Sequence, residues 1–116
     1  MRNTCDSDAK MQSWPSDSIR HNLKEAHVAT YIISYDLDKA GQNYKTLYDA
    51  IKSYGTWWHH LDSTWCIVTQ HTVEEVTGHL SQCLDNNDSL LVMKTCGVAA
   101  WTSFGDEGDN WLKEFI

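Results

Sequence analysis

Apolar and polar positions change period several times along this chain, and each change marks an element. Val28–Leu37 (V-A-T-Y-I-I-S-Y-D-L) is β-branched and aromatic, with apolar side chains at odd and even positions alike. That is the pattern of a strand covered on both faces. Asp38-Lys39-Ala40-Gly41-Gln42-Asn43 breaks it. Tyr44, Leu47, Tyr48 and Ile51 then recur at i, i+3, i+4 and i+7, which predicts a helix with one apolar stripe, and Gly55 stands where such a helix stops. Thr56–Gln70 (T-W-W-H-H-L-D-S-T-W-C-I-V-T-Q) predicts a hairpin, with strands over about Thr56–Leu61 and Thr64–Gln70 and a turn at Asp62-Ser63.

Thr72-Val73-Glu74-Glu75 reads as a capping box, in which the Thr72 hydroxyl and Glu75 satisfy free backbone donors reciprocally. The helix it opens buries Val73, Val76, Leu80 and Leu84, and carries Gly78 in its middle. Asp85-Asn86-Asn87-Asp88 is a turn, and Ser89–Thr95 is a short buried strand. Gly97–Phe104 is mixed and is expected to extend the sheet. Gly105–Asp109 reads as a loop, after which Asn110 caps a last short turn over Trp111–Ile116.

The order β-α-β-β-α-β is the split βαβ arrangement. The expected fold is α+β and ferredoxin-like: a four-stranded antiparallel sheet with both helices on one face, plus a C-terminal extension. The opposite face is too aromatic to stay in water, and a dimer partner or a ligand is expected to cover it. Residues 1–27 lack apolar periodicity, are rich in Ser, Asp and Asn, and hold the only proline, Pro15. They are expected to be a flexible N-terminal extension to a domain over residues 28–116.

No apolar run approaches the roughly 20 residues that span a bilayer, and the first residues lack the plan of a signal peptide. The expected protein is soluble and cytoplasmic, with no membrane partner. Cys5, Cys66, Cys83 and Cys96 form no C-x-x-C pair, so all four read as free thiols in a reducing compartment. The formal net charge is −7, all of it from residues 28–116, where five lysines and no arginine face eight aspartates and four glutamates. Such a surface lacks the basic footprint of a protein that tracks long nucleic acid.

Three groups carry candidate chemistry. Asp36 and Asp38, two residues apart at the end of the first strand, suit a hard divalent ion that takes a few carboxylate oxygens and completes its shell with water; the bland alternative is a strand end and a turn cap. His59 and His60 each suit proton transfer near neutral pH, although strand alternation sends Trp57 and His59 to one face and Trp58 and His60 to the other. Ser63, between Asp62 and Thr64, is foremost a turn residue, since no nucleophile-elbow pattern surrounds it.

The residues also carry a family likeness. Residues 29–116 resemble the small bacterial and phage proteins labelled SinR-like, through Y-x-I-S-Y-D-L (Tyr31–Leu37), W-W-H-x-L-D-S-T-W (Trp57–Trp65), N-D-S-L-L-V (Asn87–Val92), A-A-W (Ala99–Trp101) and W-L-K (Trp111–Lys113). More distantly, the layout is similar to the CRISPR-associated Cas-two family and the VapD-type ribonucleases, through Tyr35-Asp36-Leu37 and Ser63-Thr64-Trp65. The arginine pair that Cas-two proteins carry after the first strand is replaced here by Asp38–Asn43.

That resemblance implies a ferredoxin-like homodimer acting as a metal-dependent nuclease on RNA or short nucleic acid. Asp36 would hold Mg2+ or Mn2+, with Asp38 behind it, Ser63 would position phosphate or water, and His59 or His60 would move protons. The alternative is a non-catalytic interaction or small-ligand module that keeps the dimer, with Trp57, Trp58 and Trp65 as an aromatic platform or a dimer seam.

Overall fold

The computed structural model describes residues 28–38 and 44–116. The expectation of a flexible extension over residues 1–27, and that of a free thiol at Cys5, lie outside the described residues.

Four strands, β1 (Ala29–Asp36), β2 (Thr56–Leu61), β3 (Thr64–Thr69) and β4 (Ser89–Lys94), and three helices, α1 (Lys45–Lys52), α2 (Val73–Ser81) and α3 (Gly105–Phe115), follow one another as β1-α1-β2-β3-α2-β4-α3. The strands form one sheet in the order β2-β3-β1-β4, and every neighbouring pair is antiparallel. This α+β architecture is compatible with a ferredoxin-like arrangement.

The odd residues of β1 and β3 explain why both α1 and α2 pack on one face. Tyr31, Ile33, Tyr35, Trp65 and Ile67 form a single buried cluster with Leu47 and Ile51 of α1 and Val76 and Leu80 of α2. The expected stripes on both helices are the ones buried. Gly55, at φ +93°, donates its N–H to Lys52 O and ends the α1 segment, a backbone shape that a side chain would strain. The capping box is present in both halves: Glu75 N–H donates to Thr72 Oγ1 at 3.1 Å, and Thr72 N–H donates to Glu75 Oε1 at 2.8 Å.

The C-terminal part departs from expectation. Gly97–Phe104 adds no strand, and positive φ at Gly97 and Ser103 breaks extended backbone there. The helix begins at Gly105 rather than near Asn110, with Asp106 and Glu107 in its first turn, where carboxylates favour the positive end of the helix dipole. This longer helix covers the second face of the sheet, so the face expected to need a dimer partner or a ligand is largely sealed by the chain itself. Leu112 packs with Trp58 and Cys66, and Ile32, Trp101, Phe104, Trp111 and Ile116 close around them.

Two contacts fix the seam. Trp58 Nε1 donates to Gly108 O at 3.1 Å. A Cβ on Gly108 would lie 2.8 Å from Phe104 Cβ and 3.2 Å from the His60 ring, so only glycine lets α3 approach β2 this closely. Further along the same face the cover ends. Leu91 and Met93 of β4, opposite Ser34 and Ile32 of β1, are 53% and 47% exposed, so β4 is an edge strand and only half buried.

The reading of every cysteine as a free thiol is corrected at one position. Cys66 and Cys83 are free, but Cys96 takes part in a disulfide. The cysteine spacing carries no signal of that bond, and the inference of a reducing compartment loses that support. Among the described residues no helix is long and apolar enough to cross a membrane.

Candidate active site

The end of β1 gathers part of the expected constellation. Tyr35 N–H donates to Ser63 O at 3.1 Å, continuing the register set by Ser34 opposite Thr64. The Asp62-Ser63 turn therefore stands abreast of Tyr35-Asp36. Asp36 closes β1 opposite Ser89 and is exposed. Strand alternation puts its side chain on the face of Ile32 and Ser34, where Ser34 Oγ and Thr64 Oγ1 are 3.2 Å apart.

Beneath this rim the other face is packed with aromatic rings. Trp65 Nε1 donates to Tyr35 OH at 2.9 Å, and the Tyr48 ring lies 6.1 Å from that of Trp65. Burial pushes the Tyr35 phenol above its ordinary range, against the opposing effect of the Trp65 hydrogen bond, so Tyr35 stays neutral and serves as an acceptor.

Asp38 is drawn the other way. Its N–H donates to Asp88 Oδ1 at 2.7 Å; the same oxygen accepts from Tyr44 OH at 3.1 Å, and Oδ2 accepts from Asp85 N–H at 2.8 Å. Asp88 thus ties the end of β1, the start of α1 and the turn before β4 into one knot. The sequence marks that turn, but not a carboxylate serving three segments.

The two histidines separate, as alternation predicts, and neither joins Asp36. His59 lies flat on Trp65, with centroids 3.7 Å apart and planes at 8°, and its Nε2 is 3.2 Å from Asp62 O. It is therefore on the helix side of the sheet. His60 is on the other face, 5.2 Å from Trp58 and 6.2 Å from Phe104 between ring centroids. It shares a face with Asp36, but β3 lies between β2 and β1, a span of about 10 Å at ordinary strand spacing. The pairing is irregular here: between Trp58 and Leu61 the register shifts, and His59 and His60 together stand opposite the single residue Trp65, a β-bulge.

Trp58 and Trp65 are buried and Trp57 is partly exposed, so the three indoles form no common platform. Comparison of the chain with family models, with curated proteins and with solved structures gives no match in any of the three.

Among the described residues no three His, Cys, Asp or Glu side chains are placed to hold a metal together. A magnesium-like ion does not require three, because one or two carboxylates suffice when water and substrate phosphate complete the shell. Exposed Asp36 beside the polar Ser63 turn fits that requirement; His59 and His60 do not belong to it.

Two further groupings escape a sequence reading. Tyr54 OH lies 2.7 Å from His79 Nδ1, and His71 Nδ1 lies 3.4 Å from Glu75 Oε1, around a cavity of about 380 Å³. His71 and His79 are exposed but partnered. A groove of about 550 Å³ follows β2, where Glu107 and Trp111 of α3 come beside Gly55–His60. Only the helix starting at Gly105 brings those two residues there, and the sequence predicts a loop at that point.

Proposed function

We propose that this chain is a ferredoxin-like, Cas-two-like protein that works as a homodimer and cleaves phosphodiester bonds in RNA or short nucleic acid with a divalent ion. The observation that supports the reading is the Tyr35 N–H to Ser63 O hydrogen bond, which brings the backbone of the Ser63 turn alongside the strand end that carries Asp36.

Asp36 would hold Mg2+ or Mn2+, an ion that supplies Lewis acidity and an activated water when bound. Ser63 would orient a phosphate oxygen or a water through its hydroxyl. Asp38, tethered through its own N–H to Asp88, sets the path of the chain just past the site. Proton transfer is left to solvent, since His59 is stacked on Trp65 and His60 packs near Phe104. With twelve carboxylates and five lysines over residues 28–116, a short or structured substrate is favoured over long duplex.

The test is cleavage of labelled RNA and DNA oligonucleotides during Mg2+ and Mn2+ titration, for wild type and Asp36→Ala. The expected outcome is metal-dependent cleavage that falls by at least about 100-fold in the variant, the size of loss seen when a transition-state charge stabiliser is removed. Full activity in Asp36→Ala overturns the assignment. A second reading, a non-catalytic interaction module, is favoured by the exposure of Leu91 and Met93. An intact homodimer with no cleavage of any nucleic acid decides for it.

A further inference from the structure

The strand order leaves β2 with a single neighbouring strand, so among the described residues no strand pairs with its outer edge. The groove of about 550 Å³ runs along that edge, lined by the six consecutive residues Gly55–His60 and by Glu107 and Trp111. A wall of consecutive strand residues suits an extended chain rather than a compact ligand. Thr56, Trp57 and Trp58 pair regularly with Val68, Ile67 and Cys66, so their outward backbone groups are aligned to receive one more strand.

The side chains around this edge select for positive charge. Glu107 is exposed and has no ion-pair partner among the described residues, and no lysine or arginine lines the groove. Trp57 is 38% exposed, and Trp111 is half-buried against Phe115. One of these indoles already receives an ammonium group: Lys52 Nζ stands 5.2 Å from the centroid of the Trp57 ring. An indole face beside an unpaired carboxylate is a receptor for a cationic side chain. The −7 charge of residues 28–116 adds long-range attraction for a basic ligand. A second copy of the chain in the same groove would bring two Glu107 carboxylates and two acidic domains together with no cation lining the groove to answer them.

We propose that the β2 edge is a docking site for an extended basic peptide, whose backbone pairs with Thr56–Trp58 and whose Arg or Lys side chain sits between Glu107 and Trp111. The proposal stands independently of the chemistry assigned to Asp36.

The test titrates the full chain with Ac-Thr-Val-Arg-Val-Thr-NH2, followed by tryptophan fluorescence and calorimetry. Saturable binding is expected, weakened about tenfold by Glu107→Gln, as for loss of a charge-assisted hydrogen bond. The same peptide with Glu in place of Arg, and one N-methylated at alternate residues to remove pairing donors, should each lose most of the affinity. Asp36→Ala should bind like wild type. Failure of the Arg peptide to saturate, whatever the oligomeric state, overturns the proposal. So does equal binding of the Glu or the N-methylated peptide, or Glu107→Gln binding like wild type while its unfolding midpoint is unchanged.

Discussion

Tyr35 shows how much one side chain holds at the candidate site. Its ring is buried, its hydroxyl accepts the Trp65 indole N–H, and its own N–H anchors the Ser63 turn. Tyr35→Phe removes only the acceptor and leaves the indole donor of a fully buried tryptophan unsatisfied. The expected cost is about 1–3 kcal/mol in urea unfolding, with the hairpin register retained. A loss below about 0.5 kcal/mol would mean that the Trp65 N–H finds another partner. The residue types here were legible: aromatic and β-branched residues at alternating positions announce β1 and β3. The hydrogen bond between Tyr35 and Trp65 was not, since it depends on a cross-strand register that composition does not encode.

At the scale of elements, α2 is the helix whose start is best specified. Its cap places the Glu75 carboxylate on the Thr72 N–H, and that bond, with His71 adding, holds the Glu75 carboxyl below its ordinary value of 4.5. A carboxyl depressed in the folded state stabilises it fully above the unfolded value and loses that contribution as pH falls through the folded one. Glu75→Ala should therefore be less stable than wild type at pH 7, with a gap that narrows as pH drops below about 4.5; urea midpoints from pH 7 to pH 3 check this. A gap that stays constant into acid would remove the carboxylate from the cap. This start was readable because a capping box is local, four residues in a row. The start of α3 was not, because its decisive feature is distant: Gly108 lies against His60 and Phe104, and Trp58 donates to its carbonyl. Gly105 and Gly108 read as loop residues until the surface they fit is known.

For the molecule as a whole, α3 turns a two-layer arrangement into three layers, with the sheet between α1–α2 and α3. Cys66 reports on the third layer. Burial pushes its thiol up to about 12, so it should be almost inert to alkylation at pH 8, while half-buried Cys83 reacts. Leu112→Ala deletes the α3 side chain packed nearest Trp58 and Cys66 and should cost about 2–4 kcal/mol. The same variant should speed labelling of Cys66, read by mass spectrometry of the alkylated peptide. Destabilisation without faster Cys66 labelling would show that α3 stays docked when its central contact is lost. Segment order alone foretold the sheet and its first pair of helices. The third layer was hidden because a short amphipathic tail carries no sign of which face it will meet.

The two-against-one mismatch opposite Trp65 has a consequence for growth of the sheet beyond one molecule. A sheet with free strands at both margins can template like strands without limit, which is the route to fibres. Here a newcomer at β2 finds only three regular residues, Thr56–Trp58, before the backbone turns out of line. A short segment can be accepted, while a neighbouring sheet cannot be zipped on. The irregularity at His59 and His60 thereby limits regular pairing at the β2 margin to a short segment.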